Sequence, residues 1–262
     1  RGHYTFTRTE AGAALARKGS NLSAILRRLR KSGWILPLSK DFSIALDIPH
    51  QGAGTLPPEW FVDDFARHHN MHYYVGGLTA ALLHGASHQK PQIFHVVADR
   101  QLPAINKSKL KITFLHKRSI TEEMSEQKKS PAGFFRVSTP EVTAYDVVLY
   151  RRACPSLSHA ATVLGELGES LNPDKLGRLV EMGGEVAVLQ RLGWLLDRVG
   201  WERKTDQLHT ALDSVRRVWR PLRNGRTLDG ARDARWRIVV NEEIDPDVEA
   251  IPDHDDSQAM SE

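Results

Sequence analysis

The sequence has very little cysteine and no long apolar run. Its 262 residues include one cysteine, Cys154, so no disulfide can form within the chain, and a reducing compartment is indicated. No stretch approaches the roughly 18 apolar residues that a membrane-spanning helix needs. The segment from Arg1 to Glu10 also lacks the apolar core of a signal peptide. These absences predict a cytoplasmic protein without a membrane partner.

Familiar catalytic signatures are missing as well. The sequence contains no glycine-rich phosphate-binding loop and no Gly-x-Ser-x-Gly nucleophile elbow. Hydrophobic residues make up 40% and charged residues 26%, which is typical of a folded globular chain. The length is enough for two domains or three small ones. We therefore expect a globular protein without an enzymatic activity of these common classes.

The charge is distributed unevenly along the chain. Residues 1–46 hold nine lysines and arginines against two acids, a net charge of +7. Residues 245–262 hold seven acids and no lysine or arginine, a net charge of −7. A basic first domain suggests a polyanionic partner, whereas the acidic end is typical of a solvated tail.

Local signals predict a compact N-terminal domain over residues 1–48. Thr7 and Glu10 have the spacing of a capping box at the start of a helix. Ser20 is the expected N-cap of the next helix, and Gly33 the expected stop. The predicted order is a strand at residues 3–7, helices at 8–18 and 21–31, and strands at 34–38 and 42–46 joined by Ser39-Lys40-Asp41.

The remainder is expected to be an α+β arrangement. Residues 49–58 are rich in proline and glycine and predict a linker. A C-terminal domain over 59–240 follows. It has an α/β part at 59–138, a helical part at 139–220 and a late strand at 236–240. Residues 241–262 form the acidic tail. Expected strands are 73–75, 93–98, 110–114 and 134–138, with a short helix at 78–84 and a mobile polar loop at 119–130. Two helices are expected to begin at Thr139-Pro140-Glu141 and at Asn172-Pro173-Asp174. Three more are expected at 158–167, 185–199 and 206–218.

The second predicted helix has two chemically different faces. Leu22, Ile25, Leu26 and Leu29 follow the i, i+3, i+4, i+7 spacing of a core stripe. The opposite face is basic and hydroxylated with a small residue at its middle. Basic side chains bind phosphate, short polar side chains reach base edges, and a small residue allows close approach to DNA.

Strand, helix, turn, helix and hairpin in this order are typical of a winged helix-turn-helix without its first helix, which would precede Arg1. The hairpin supplies the wing, with Lys40 at its tip. A solvated basic helix in a small packing domain is the simpler alternative. On the DNA-binding interpretation, the predicted contact residues are Ser20, Asn21, Ser23, Ala24, Arg27, Arg28, Lys31 and Lys40.

Other chemistry-bearing patterns are weaker. Val75-Gly76-Gly77 resembles the opening of a nucleotidyltransferase site but lacks the paired carboxylates, so a strand-to-helix turn is favoured. Glu126-x-Lys128 with Asp99 resembles half a nuclease motif, yet it falls in a stretch predicted as a loop. The histidine pairs 68/72 and 84/88 have no third ligand, and Asn70 is expected to end the helix between the first two. Cys154 is expected to be buried and inert.

The stretch from Tyr73 to Gln92, YYVGGLTAALLHGASHQKPQ, resembles the core motif of the AbiEi antitoxins of bacterial type IV toxin–antitoxin systems, first described in phage abortive infection. Phe134 to Tyr150 and the N-terminal layout with Gly33-Trp34 are similar to that family too. The resemblance covers residues 4–150 well and the helical remainder loosely, and residues 236–262 match no family pattern.

The resemblance implies a function that spacing and composition do not give. A member of this family would be bacterial and cytoplasmic, and its N-terminal domain would repress its own operon by binding promoter repeats. Its C-terminal region would counteract a nucleotidyltransferase toxin encoded next to it, without a stable complex being required. No cofactor, metal ion or catalytic residue is expected. The alternatives are a nucleic-acid-processing enzyme with a winged-helix targeting domain, and an adaptor whose basic helix binds protein.

Overall fold

The computed structural model describes residues 4–86, 91–151, 153–154, 156–225 and 229–247. The described residues of 1–83 and 88–143 form one compact unit, unit 1, and those of 84–87 and 144–262 form another, unit 2. Within the described ranges, no helix has the length and apolarity needed to cross a bilayer. The predicted acidic tail lies outside these ranges from residue 248 onward.

The first elements of unit 1 follow the predicted order. They are β1 (Thr5–Thr7), α1 (Arg8–Ala14), α2 (Gly19–Lys31), β2 (Ile35–Pro37) and β3 (Phe42–Ala45). The strands form an antiparallel sheet of order β1-β3-β2, so β2 lies at one edge. The Thr7–Glu10 capping box is present at the start of α1. A short helix α3 (Ile48–Gln51) falls in the stretch with linker composition, where Leu56 is fully buried.

The rest of unit 1 is built on a mixed six-stranded sheet of order β6-β7-β5-β4-β9-β8. In chain order its elements are α4 (Val62–His68), β4 (Tyr73–Val75), α5 (Gly77–Leu83), β5 (Phe94–Ala98), β6 (Ile105–Lys107), β7 (Leu110–His116), β8 (Ser125–Ser130), β9 (Gly133–Ser138) and the first residues of α6 (Pro140–Leu149). The pairs β4–β9 and β5–β7 are parallel, and the other pairs are antiparallel.

One hydrophobic core joins the two sheets of unit 1. Phe42 and Ile44 of β3 belong to the same buried cluster as Phe65 of α4 and Val75 and Val96 of the six-stranded sheet. Phe42 contacts Phe65 edge to face, with ring centroids 5.5 Å apart. Burial of these large apolar side chains is the main stabilising term in such a core. The three-stranded sheet is thus anchored on α4.

Unit 2 is mainly helical. After the end of α6 it contains α7 (Leu157–Leu167), α8 (Pro173–Arg178), α9 (Val186–Arg198), α10 (Asp206–Asp213) and the short strands β10 (Arg220–Pro221), β11 (Ala231–Asp233) and β12 (Ile238–Val240). Helix α9 is the most buried of the four helices α7 to α10. Its Arg191 donates hydrogen bonds to the carbonyls of Ala187, Pro221 and Leu222 and to Asn224 Oδ1, which fixes the chain leading away from β10.

Helix starts were predicted well where a side chain caps them. Ser156 and Asn172 each accept a hydrogen bond from a backbone N–H of the first turn, at 3.0 and 3.1 Å, as in N-caps generally. Helix α6 begins at Pro140, with the Val142 N–H 3.4 Å from Thr139 Oγ1. The late strand is present as β12, two residues shorter than predicted.

Four expectations about local structure were wrong. Helix α1 ends at Ala14 and not at residue 18, because Ala16 adopts a left-handed conformation, φ 49°. The N-cap of α2 is Lys18, without a side-chain hydrogen bond, and Ser20 lies inside the helix. Residues 125–130 of the predicted loop form the strand β8, whose backbone is satisfied by β9. Helix α10 ends at Asp213, five residues early.

Candidate nucleic-acid interface

Helices α1 and α2 approach closely at a glycine. A Cβ added to Gly12 would lie 3.3 Å from Cδ2 of Leu22 and 3.2 Å from the carbonyl oxygen of Arg17. That oxygen belongs to the turn between the helices, where Arg17 N donates to Gly12 O at 3.0 Å. Leu22 is buried at this contact, with 4% of its surface exposed. The close packing leaves the other side of α2 in solvent.

Only part of the predicted core stripe is covered. Leu22 is buried, whereas Ile25, Leu26 and Leu29 are half-buried. Ile25 and Leu29 border a shallow surface cleft together with Trp34, which is 44% exposed. The stripe therefore faces the protein as the periodicity predicts, and only Leu22 within it is fully buried.

The structure places every predicted contact residue at the surface. The exposed set comprises Ser20, Asn21, Ser23, Ala24, Arg27, Arg28 and Lys31 on α2, and Lys40 in the turn between β2 and β3. We call the seven α2 residues the cationic face. At 1.5 Å per residue, the 13 residues of α2 extend about 20 Å. Such a helix fits the B-DNA major groove, which is about 12 Å wide.

A further arginine, which periodicity along α2 could not identify, lies beside the cationic face. Arg8, the first residue of α1, donates from Nη2 to Ser23 Oγ at 2.6 Å, and Ser23 Oγ itself donates to Gly19 O at 3.0 Å. Both hydrogen-bonding functions of this hydroxyl are thus in use. Ser23 consequently orients Arg8 at the surface, and Arg8 becomes a candidate phosphate ligand.

Among the described residues, the cationic face has no acidic counterpart within reach. In the part of the chain that the structure describes, no carboxylate lies within 4 Å of Arg27, Arg28, Arg30, Lys31 or Lys40. Like charges held together on one exposed surface create a positive potential that attracts polyanions. The arrangement of the N-terminal elements is therefore suited chemically to binding a phosphate-lined groove.

In the weak nuclease pattern, Glu126 and Lys128 lie far from Asp99. Glu126 and Lys128 lie on a strand, β8, contrary to the expectation of a loop, and Lys128 Nζ donates to the Leu83 carbonyl. Asp99 follows β5 and accepts hydrogen bonds from His72, at 3.1 Å from N and 2.8 Å from Nδ1. Strands β4 and β9 separate β5 from β8. Three strand spacings of about 4.8 Å therefore keep the two parts from sharing a metal ion.

The histidines and glycines singled out in the sequence have local structural roles. Asn70, φ 49°, follows the end of α4, so His68 packs on the Phe42 ring while His72 pairs with Asp99. Gly77, φ 55°, forms the turn from β4 into α5. His88 lies outside the described residues. Among those described, no three histidines, cysteines or acids are grouped as metal ligands.

Cys154 is buried, as expected. Burial raises the pKa of its thiol to about 12, because the apolar surroundings penalise the thiolate. At neutral pH the side chain is therefore a protonated, weakly nucleophilic thiol.

Comparison with known proteins identifies a domain that overlaps both units. Residues 74–198 match the family model described as the AbiEi antitoxin C-terminal domain. The crystal structure of the RV2827C protein from Mycobacterium tuberculosis is similar in fold, with a TM-score of 0.60 over 90% of this chain and 86% of that chain, at 15% sequence identity. No curated protein is significantly similar in sequence.

Proposed function

Because residues 74–198 match the AbiEi antitoxin C-terminal domain model, we propose that this chain is an antitoxin of that family and a DNA-binding transcriptional autorepressor. In this proposal residues 5–45 form a winged helix-turn-helix that binds double-stranded DNA at repeats in the promoter of its own operon. The family domain counteracts a nucleotidyltransferase toxin encoded in the same operon, and a stable complex with the toxin is not required. Neither a metal ion nor a cofactor takes part.

The observation that carries the DNA-binding part is the exposed cationic face of α2. Arg27 and Lys31 lie one helical turn apart and are both exposed, while Leu22 on the other side of the helix is buried. Ala24 lies between the basic side chains and would allow the helix backbone to come close to base edges. Lys40 is exposed on the turn between β2 and β3. In this proposal that turn is the tip of the wing, and Lys40 contacts an adjacent phosphate.

The test is a double substitution on this face, Arg27→Ala with Lys31→Ala. Both side chains are exposed, so the fold should be retained. We expect the affinity for a duplex containing the operon's own promoter to fall roughly 10-fold or more, at about 1 kcal/mol or more for each good contact. The affinity is measured by fluorescence anisotropy or gel shift at several salt concentrations.

A matched control removes the same two positive charges elsewhere. Lys175 and Arg178 are exposed on α8 in unit 2. Lys175→Ala with Arg178→Ala should leave promoter affinity within about twofold of the wild type, since neither residue belongs to the proposed contact set. Equal affinity of both folded double variants and the wild type would refute the assignment of α2 as the DNA-binding helix.

A further inference from the structure

A second basic hairpin lies beside the three-stranded sheet. Strands β6 and β7 are joined by a tight turn at Ser108, φ 53°, and the hairpin contains Lys107, Lys109 and Lys111. No acidic residue occurs from Ile105 to His116. The hairpin lies in the part of the sequence predicted to be the antitoxin domain. Its position next to the N-terminal three-stranded sheet is therefore not evident from the chain order.

Lys107 fixes this hairpin against the free edge of β2. Its Nζ donates to the carbonyl of Pro37 at 2.5 Å and lies 3.5 Å from that of Leu38. Because β2 is an edge strand, its outward carbonyls have no strand partner and can accept these hydrogen bonds. Ser108 also packs tightly on the loop that follows α3, since a Cβ at Gly54 in that loop would lie 2.6 Å from Ser108 Oγ. The turn is therefore held in place from two sides.

The hairpin extends the positive surface of α2. Helix α2 packs against β2, and Lys107 binds the carbonyl of Pro37 in that same strand. Desolvation lowers the pKa of Lys107, and the positive charge of Arg30 on α2 lowers that pKa further. Lys109 and Lys111 are exposed. In the described part of the chain no carboxylate forms an ion pair with any of the three lysines. Positive charge thus continues from α2 across the edge of β2 to the turn of the second hairpin.

We propose that the β6–β7 hairpin is a second DNA-contacting element, in which Lys109 and Lys111 bind backbone phosphates flanking the groove occupied by α2. The proposal rests on the proposed DNA-binding function. Lysine is a compact point charge and reads no base pattern here, so these contacts add affinity without adding sequence preference. Lys107, whose ammonium is occupied by backbone carbonyls, positions the hairpin and does not itself contact DNA.

The experiment uses the double variant Lys109→Ala/Lys111→Ala, called the hairpin variant. Its affinity for DNA is compared with the affinities of the wild type, the Arg27→Ala/Lys31→Ala variant and the Lys175→Ala/Arg178→Ala control. The probes are a duplex of the operon's own promoter and a random-sequence duplex of equal length. For the hairpin variant we expect a loss of roughly 3- to 10-fold on both duplexes. The slope of log affinity against log salt should become shallower by about 1 to 2, since each phosphate contact contributes about 0.9.

The outcomes separate the two proposals. If the wild type binds neither duplex, the DNA-binding function itself is refuted. If the wild type binds and Arg27→Ala/Lys31→Ala weakens binding, but the hairpin variant has the affinity and salt slope of the control, only the second contact is refuted. Uniform weakening of both duplexes together with a shallower slope supports the hairpin contact.

A substitution at Lys107 tests how the hairpin is positioned. Lys107→Met removes the ammonium while retaining an unbranched apolar chain. We expect it to weaken DNA binding, and adding Lys109→Ala and Lys111→Ala to it should have little further effect, because the displaced lysines no longer reach phosphate. Full additivity of the substitutions would show that Lys107 does not act through the hairpin.

Discussion

At the scale of single residues, two tryptophan rings of unit 2 occupy space that a side chain on a nearby glycine would need. A Cβ at Gly193 in α9 would lie 2.3 Å from the ring of Trp236, and one at Gly168 would lie 2.0 Å from Nε1 of Trp201. The Trp236 ring cannot easily move, because its Nε1 donates to Asp197 Oδ2 at 2.6 Å. These glycines are required by packing and not by an unusual backbone conformation.

Gly193→Ala should therefore destabilise the protein. We expect the free energy of unfolding, measured by urea denaturation, to fall by about 1–3 kcal/mol from overpacking, even though alanine is the better helix former by about 1 kcal/mol. Gly52→Ala is the matched control, since nothing lies within 4 Å of its Cβ position and its φ is −64°. A Gly193→Ala variant as stable as Gly52→Ala would contradict the close packing.

His95 predicts a dependence of stability on pH. Burial lowers the pKa of His95 to about 4, and its Nδ1 has no hydrogen-bond partner among the described residues. Because the unfolded chain takes up the proton near pH 6.5, the stabilising effect of the neutral ring is present above that pH and is lost as pH falls towards 4. Relative to His95→Gln, the wild type should lose up to about 3 kcal/mol of unfolding free energy across this window. Parallel stability curves for the two proteins would contradict the assignment.

At the scale of elements, the start of α1 depends on one reciprocal pair of hydrogen bonds. Glu10 N donates to Thr7 Oγ1 at 3.2 Å, and Thr7 N donates to Glu10 Oε2 at 2.7 Å. Thr7→Ala removes one of the two and should lower the free energy of unfolding by about 1 kcal/mol. Thr9→Ala, at an exposed neighbouring position, should change it by less than about 0.5 kcal/mol. Equal losses in urea unfolding of the two variants would argue against the cap.

The elements that could be predicted from sequence are those with a local signal. The capping box of α1, the Asn172-Pro173 start of α8 and the alternating pattern that starts at Leu110 in β7 all have their cause within a few residues of chain. Strand β8 has no such cause, because it is a polar edge strand whose backbone is satisfied only by pairing with β9. The left-handed Ala16 that ends α1 is likewise not indicated by its residue type.

The candidate interface likewise has a part that the sequence predicts and a part that depends on tertiary contacts. The cationic face of α2 follows from helical periodicity, and its exposed residues lie where that periodicity places them. Arg8 joins it only through the hydrogen bond to Ser23 across the turn between the helices. Lys107 lies on a strand 70 residues beyond Pro37, the β2 residue whose carbonyl it binds. Both depend on tertiary contacts that a single sequence does not reveal.

At the scale of the whole molecule, the two proposed activities, repression and antitoxicity, should be separable. Arg27 and Lys31 precede the family domain, which begins at residue 74. On the proposed function, Arg27→Ala/Lys31→Ala should therefore raise expression of a reporter placed behind the operon promoter, while still rescuing growth when the proposed nucleotidyltransferase toxin is induced. Reporter fluorescence and colony counts are measured in the same strain. Loss of rescue by the folded variant would show that the N-terminal elements are needed for both activities.

The core shared by the two sheets of unit 1 limits how this protein could be engineered. A chimaera that transplants only residues 1–48 onto another scaffold would expose Leu38, Phe42, Ile44 and Leu46 to water. It would also leave behind Lys107, which holds the outer edge of β2. The helix that is proposed to read DNA is consequently not a portable module, and a usable graft has to include α4 and the strands beneath it.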